Sequence, residues 1–261
     1  MGLDPTSPEM TLLLVTLHTG TMFAVIAYFW RAWRANYLQS GRVFWPFAKN
    51  VVVATACTGA LGLGLKWILE HGGGRGAPKA EVEQLFGNLG LIAGALCAAG
   101  LLIIFAGFQT RRDNATRDLE LGDSCWIGLM QALCLPFRGF SRSGATISTG
   151  LLLGASKERV EEFSFALAVV LTPPVVAKEV MRLLEAVQRG QTANPQTAGN
   201  GCQSPLALFL PSLLGMLFSF LAGLAALRWL SRWLERGRWQ LFGFYCLAAS
   251  VIAFVLYRRG Y

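Results

Sequence analysis

Residues 123–154 read DSCWIGLMQALCL, then PFRG, then FSRSGATISTGLLLG, and the fold turns on how that stretch meets a membrane. Asp123–Leu135 is an apolar run of thirteen residues, whereas about 20 helical residues are needed to cross a hydrocarbon core of about 30 Å. The run is broken at Pro136-Phe137-Arg138-Gly139, and a second short apolar helix is predicted from about Ser143 to Gly154. Two half-length helices around a break describe a re-entrant pair, occupying about 123–154, that enters the bilayer and returns to the same face. Asp123, following Gly122, reads as the N-cap of the first half, with a catalytic role as the alternative. Lipid cannot satisfy the polar groups of backbone that leaves a helix, so the turn is expected to be buried in protein or to line a wet cavity near the bilayer midplane.

Runs of full spanning length recur on both sides of this segment: Thr11–Trp30, Phe47–Leu69, Leu85–Phe108, Val160–Leu184, Leu206–Leu230 and Leu241–Tyr257. Apolar residues make up 54% of the 261 and charged residues only 15%, with a mean hydropathy of +0.46. Soluble domains carry about a quarter charged residues. The expected fold class is therefore an all-α polytopic membrane protein of about six transmembrane helices plus the re-entrant pair, with 1–261 as a single integral membrane domain. No run has the short apolar stretch and small-residue cleavage site of a removable signal peptide.

The net charge of +8 does not point to nucleic acid, because the basic residues sit at span ends, where they set orientation. One side of the membrane would carry Arg31, Arg34, Arg42, Arg111, Arg112, Arg117, Lys157, Arg159, Arg228, Arg232, Arg236 and Arg238. The other would carry half as many: Arg75, Lys79, Arg182, Arg189, Arg258 and Arg259. The richer side is expected to be cytoplasmic, which places both termini outside, on the periplasmic face of a bacterial inner membrane. The six cysteines form no CxxC pair and read as small core residues; with only His18 and His71 beside them, a histidine–cysteine metal site is not expected.

Chemistry concentrates at the break. An arginine at membrane depth costs about 2.5–3.5 kcal/mol on insertion scales, which makes Arg142 a functional candidate. Ser141, Ser143 and Thr146 surround it, with Gly139 and Gly144 keeping the backbone open. A Gly-Phe-Ser-Arg-Ser-Gly turn opening a helix presents free N–H groups and the positive dipole end, a ready anion site. Ser143 and Thr146 are spaced i, i+3 and Arg142 and Thr146 i, i+4, so they share a helix face. A guanidinium fork, hydroxyls and amides suit a di-anionic phosphate. The structural alternative is a serine-capped helix whose arginine pairs with a carboxylate.

At Leu135–Ser148 the chain resembles the undecaprenyl-diphosphate phosphatase, or bacitracin-resistance, family, whose second signature is Pro-Gly-x-Ser-Arg-Ser-x-x-Thr on a re-entrant loop. Pro136 and Gly139 flank two extra residues, Phe137 and Arg138, after which Gly139, Ser141, Arg142, Ser143 and Thr146 match in order. Gly128–Leu135, Glu162–Ala168, and Leu17–Thr21 followed by Tyr28–Arg31 also look like the family, so the resemblance covers nearly the whole chain. It implies an enzyme that cleaves the terminal phosphate from undecaprenyl diphosphate, regenerates the lipid carrier of peptidoglycan synthesis and confers bacitracin resistance. It implies Arg142 holding the diphosphate and neutralising transition-state charge. Ser141, Ser143 and Thr146 would bind phosphate oxygens, with a hydroxyl nucleophile and direct attack by water both open. Gly139, Gly144, Arg138 and His18 are substrate-binding candidates; Arg138 is a second phosphate grip or snorkels to a headgroup.

The resemblance also implies a divalent cation, magnesium or calcium, bound by a Glu-x-x-x-Glu and Ser-Ser-(Ser/Thr)-Gly-His signature before the first full span. Asp4 and Glu9 are the only acids before Thr11 and lack that spacing. The carboxylate ligands are thus not found here. The second half holds a re-entrant pair and three spans, the first half three spans alone, as in an inverted repeat whose first pair is missing. In-frame DNA upstream of Met1 is expected to encode it in about 30–45 residues. Thr172-Pro173-Pro174 lies where the family has a single proline a few positions earlier, and a kink is expected. A polyprenyl-phosphate transporter or flippase, which needs the phosphate grip but no carboxylate–metal pair, and an inactive truncated remnant are the competing readings.

Overall fold

The computed structural model of the chain describes residues 8–71, 89–110, 117–137, 139–188 and 205–259. They form helices α1 (Pro8–Asn36), α2 (Gly41–His71), α3 (Leu89–Thr110), α4 (Leu121–Cys134), α5 (Arg142–Leu152), α6 (Lys157–Gln188), α7 (Pro205–Glu235) and α8 (Gln240–Arg258). Among the described residues there is no strand, only an isolated bridge between Arg117 and Ala155. Among the described residues six helices are long and apolar enough to cross a membrane, over Leu13–Asn36, Gly41–Leu65, Leu89–Thr110, Lys157–Lys178, Leu213–Glu235 and Gln240–Arg258. Each falls on one of the six runs expected from sequence, so the chain is a multi-pass membrane protein.

The other two helices are short. α4 has 14 residues and α5 has 11, rises of about 21 Å and about 16 Å at 1.5 Å per residue, and neither can cross alone. The helix start expected at Asp123 is corrected: Glu120 is the N-cap and Asp123 stands at N3. The two close a reciprocal capping box, the Glu120 N–H donating to Asp123 Oδ2 at 3.0 Å. Arg117 explains the shift, since its Nη2 lies 3.0 Å from Asp123 Oδ2 and draws that carboxylate back over the first turn. The same Nη2 donates to the Leu153 carbonyl at 2.8 Å. Arg117 thus clamps the beginning of α4 to the end of α5, closing the base of the pair.

The chain clusters into two compact units, Met1–Arg31 with Ala168–Trp229 and Ala32–Leu167 with Leu230–Tyr261. In the latter, which holds the short pair, α2 and α4 pack around Val51, Ala54 and Ile127, joined by Phe163 and Leu167 of α6. A Cβ added to Gly128 of α4 would overlap the Ala54 backbone of α2. Thr58 Oγ1 donates to the carbonyls of Ala54 and Gly128 at 2.8 and 2.9 Å and accepts from Gln131 Nε2 at 3.0 Å. α3 and α8 approach as closely, a Cβ on Gly243 falling 2.7 Å from the Gly100 carbonyl oxygen.

A polar cluster anchors the start of α6. Asn36 Nδ2 donates to Glu162 Oε1 at 2.8 Å, and Trp33 Nε1 to the Glu162 carbonyl at 3.3 Å. Arg159 pairs with Asp118 at 3.0 Å and lies 5.1 Å from the Tyr37 ring centroid. Burial first, and the Glu162 carboxylate second, push the Tyr37 phenol above its usual range. Glu161 accepts from Ser231 Oγ of α7. In the other unit, Ser219 Oγ donates to the Leu17 carbonyl at 2.8 Å, and Gly20 faces the Met216 carbonyl with no room for a side chain. α6 continues as helix through Pro173 and Pro174.

Candidate active site

The loop joining the short helices is built around two residue types that tolerate it. Gly139 has φ +96°, a left-handed conformation that side chains rarely adopt, and a Cβ there would also meet Ile92 of α3 at 3.0 Å. Ser141 then caps α5, its Oγ accepting from the Gly144 N–H at 3.2 Å while its carbonyl accepts from Ala145 N at 2.8 Å. Those two bonds use the third and fourth N–H groups of the helix. The N–H groups of Arg142 and Ser143 stay unclaimed among the described residues, next to the positive end of the helix dipole.

Arg142 is the first residue of α5 and is half-buried. No carboxylate among the described residues pairs with it. Ser141 and Ser143 are half-buried on either side. Thr146 is different. It is 1% exposed, its Oγ1 lies 2.9 Å from the Arg142 carbonyl, and Ser164 Oγ of α6 lies 2.6 Å from it. With Oγ1–H donated to Arg142, Ser164 is the donor of the second bond. The Thr146 hydroxyl therefore braces the turn that carries Arg142.

Three further contacts fix α5. A Cβ on Gly144 would come within 2.6 Å of Ile103 Cδ1, so α3 lies flat against its first turn. Trp239, 1% exposed, donates from Nε1 to Ser148 Oγ at 3.0 Å. Gly150 faces Val160 as closely as Gly144 faces Ile103. Of the residues singled out from sequence, Gly139, Ser141, Arg142, Ser143, Gly144 and Thr146 lie together at the loop and first turn of α5. Arg138 lies outside the described residues. His18 belongs to the other unit, where its Nδ1–H donates to the Leu14 carbonyl at 2.8 Å. Ser164 and Trp239 were not foreseen. Ser164 sits in the Glu162–Ala168 stretch already noted for its resemblance, but serine in an apolar helix is too common to be singled out.

Whether the site fits a divalent cation can be tested on its donors. Arginine, hydroxyls and N–H groups donate to anions, whereas Mg²⁺ and Ca²⁺ need carboxylate and carbonyl oxygens. No group of three or more His, Cys, Asp or Glu among the described residues could hold a metal ion. The described residues at the loop offer donors suited to an anion and no ligand set suited to the cation.

The family model "Bacitracin resistance protein BacA" matches residues 1–252. The chain belongs to that family. Undecaprenyl-diphosphatase 2 of Acinetobacter baylyi is 54% identical over 256 residues, 98% of this chain and 87% of that protein. Undecaprenyl-diphosphatase 2 of Halalkalibacterium halodurans is 30% identical over 92% of this chain and 80% of its own length. Undecaprenyl-diphosphatase of Parabacteroides distasonis is 25% identical over 91% of this chain and 80% of that protein.

Proposed function

We propose that this BacA-family chain is an undecaprenyl-diphosphatase that hydrolyses the lipid diphosphate to undecaprenyl phosphate and inorganic phosphate, with the loop and first turn of α5 as its phosphate site. The observation that carries the proposal is Arg142: a half-buried guanidinium at a helix N-terminus, beside two N–H groups that no described residue claims and with no carboxylate partner among the described residues. In the reaction the bond between the terminal phosphorus and the bridging oxygen breaks, and the monophosphate leaves with the bridging oxygen. Arg142 and the N–H groups of Arg142 and Ser143 bind the non-bridging oxygens and stabilise the charge that develops on them. The Ser143 and Ser141 hydroxyls lie close enough in sequence to contact the same group. Ser143, whose hydroxyl no described residue claims, is the candidate nucleophile. Its oxygen bonds the terminal phosphorus as the bridging bond breaks, and its proton passes to the departing monophosphate. Water then releases inorganic phosphate from the seryl phosphate; direct attack by water is the other route. Thr146 and Ser164 act as positioning residues behind Arg142.

The Arg117 clamp lies at the base of the short pair, on the side richer in basic residues. With that side cytoplasmic, the termini are periplasmic, the membrane is the bacterial inner membrane, and the loop of the pair lies near the bilayer midplane. Bacitracin resistance and service to peptidoglycan synthesis follow from recycling the carrier. The divalent cation implied by resemblance has no ligand set among the described residues, and no step here passes through one.

The test is phosphate release from a long-chain prenyl diphosphate by the full chain in membranes, with and without added magnesium, against Arg142→Ala. Release that depends on Arg142 supports the proposal. Lipid movement across vesicles without phosphate release would make the chain a carrier, and neither activity would make it a remnant.

A further inference from the structure

Away from the phosphate site, two thiols meet between α2 and α4. Cys57 Sγ lies 2.9 Å from Cys125 Sγ, closer than sulfur atoms rest in ordinary packing, and both residues are half-buried. Both are free thiols. We propose that Cys57 and Cys125 form a reversible dithiol–disulfide pair that, when oxidised, staples α2 to α4, the helix that leads into the phosphate loop.

The geometry that permits this is set by other residues. Gly128, one turn beyond Cys125, rests on the Ala54 backbone, one turn before Cys57, so the helix backbones are already in contact. Thr58, adjacent to Cys57, bonds to the Gly128 carbonyl and to Gln131. Asn50 Nδ2 donates to the Leu119 carbonyl at 3.0 Å, and Gly62 lies against Leu135. These contacts advance together along both helices and fix the register in which the thiols face each other. Oxidation therefore asks for little helix movement, in contrast to cysteines whose backbones must travel to meet. In the reaction two S–H bonds break and one S–S bond forms. The two electrons pass to an apolar two-electron oxidant able to enter the membrane, and the two protons leave with its reduced form. The bond would close a loop between residues 68 apart in sequence, restricting the unfolded chain.

The experiment treats the full chain in membrane vesicles with molecular iodine, which leaves as iodide, then alkylates the remaining thiols and maps the peptides by mass. A single dominant cross-linked pair joining Cys57 to Cys125, loss of two alkylatable thiols, and recovery of both on reduction are expected. Cys57→Ser should abolish the cross-link and leave Cys125 fully alkylated. The oxidised protein should also unfold at a higher temperature than the reduced one. Full alkylation of Cys57 and Cys125 after iodine, equal cross-linking to Cys97, Cys134 or Cys246, or a lowered unfolding temperature in the oxidised form would each overturn the proposal.

Discussion

α7 and α5 are both apolar helices, yet they are built for opposite surroundings. α7 runs 31 residues, and only 6% of its spanning window is buried inside the protein; Leu213, Leu217, Phe218 and Leu221 all face outward. α5 runs 11 residues, and Gly144 through Ser148, Gly150 and Leu151 are buried. Lipid is as apolar as leucine, so a long helix needs only length and an oily surface. A helix too short to span must have its ends satisfied by protein: α5 has Ser141 at its start and Arg117 on the Leu153 carbonyl at its end, and the Thr146–Ser164 and Ser148–Trp239 bonds hold it along its length. The contrast teaches where substitutions should hurt. On the proposed reading, chemistry and precision reside in the short pair, while the lipid-facing positions of a long span such as α7 tolerate exchange of one apolar side chain for another.

The largest expected effect is at the arginine. Arg142→Ala should lower phosphate release by about 10²–10³, the usual cost of removing a preorganised group that faces developing negative charge. The protein should still insert and fold, because no described residue depends on the guanidinium for a bond. Arg142→Lys should recover little, since an ammonium cannot make the bidentate fork. Near-normal turnover in either variant, measured as kcat/KM for a prenyl diphosphate, would move the site away from α5 and break the contrast.

Next comes packing beneath the pair. Gly128→Val places a branched side chain where the Ala54 backbone already lies, and overpacking of this kind costs about 1–3 kcal/mol. The thermal unfolding midpoint in detergent should fall by several degrees. An unchanged midpoint would show that α2 and α4 separate without cost.

A smaller effect is expected behind the arginine. Ser164→Ala removes the hydroxyl that bonds Thr146, worth about 0.5–1.5 kcal/mol net. If that bond holds the Arg142 turn, kcat should drop roughly 3- to 10-fold, since about 1.4 kcal/mol is tenfold in rate. KM should hardly move, and Ser164→Thr should restore most of the loss. A fall in stability with kcat unchanged would reduce Ser164 to a packing residue.

These expectations rest on unequal foundations in the sequence. The six spans were legible because twenty apolar residues in a row have few other uses in a protein. The short pair was legible from a length mismatch, thirteen apolar residues stopped by Pro136, and the start of α5 was misplaced by a single residue. The first turn of α4 was not. Asp123 looks like an N-cap when only its neighbour Gly122 is considered, but Arg117 and Glu120 shift the helix start by three residues. The partners of α5 were equally hidden. Ser164 lies 18 positions from Thr146 and Trp239 lies 91 from Ser148, and no local periodicity reports a bond across such distances.

The smallest effect should come from the lipid-facing helix. Phe218 of α7 is 67% exposed, and Phe218→Leu exchanges one apolar side chain for another that lipid solvates equally well. No cavity opens, because little protein surrounds the ring, and no hydrogen bond is lost. Surface substitutions of this kind stay within about 0.5 kcal/mol. Both the unfolding midpoint and kcat/KM should match the parent protein within error. A loss as large as that of Ser164→Ala would mean that this face of α7 is covered by protein in the membrane. Cross-linking through a cysteine placed at 218 would then show whether the cover is a second copy of the chain. An unchanged midpoint beside a clear loss in Ser164→Ala would instead sharpen the division between a helix held by lipid and one held by its own hydroxyls.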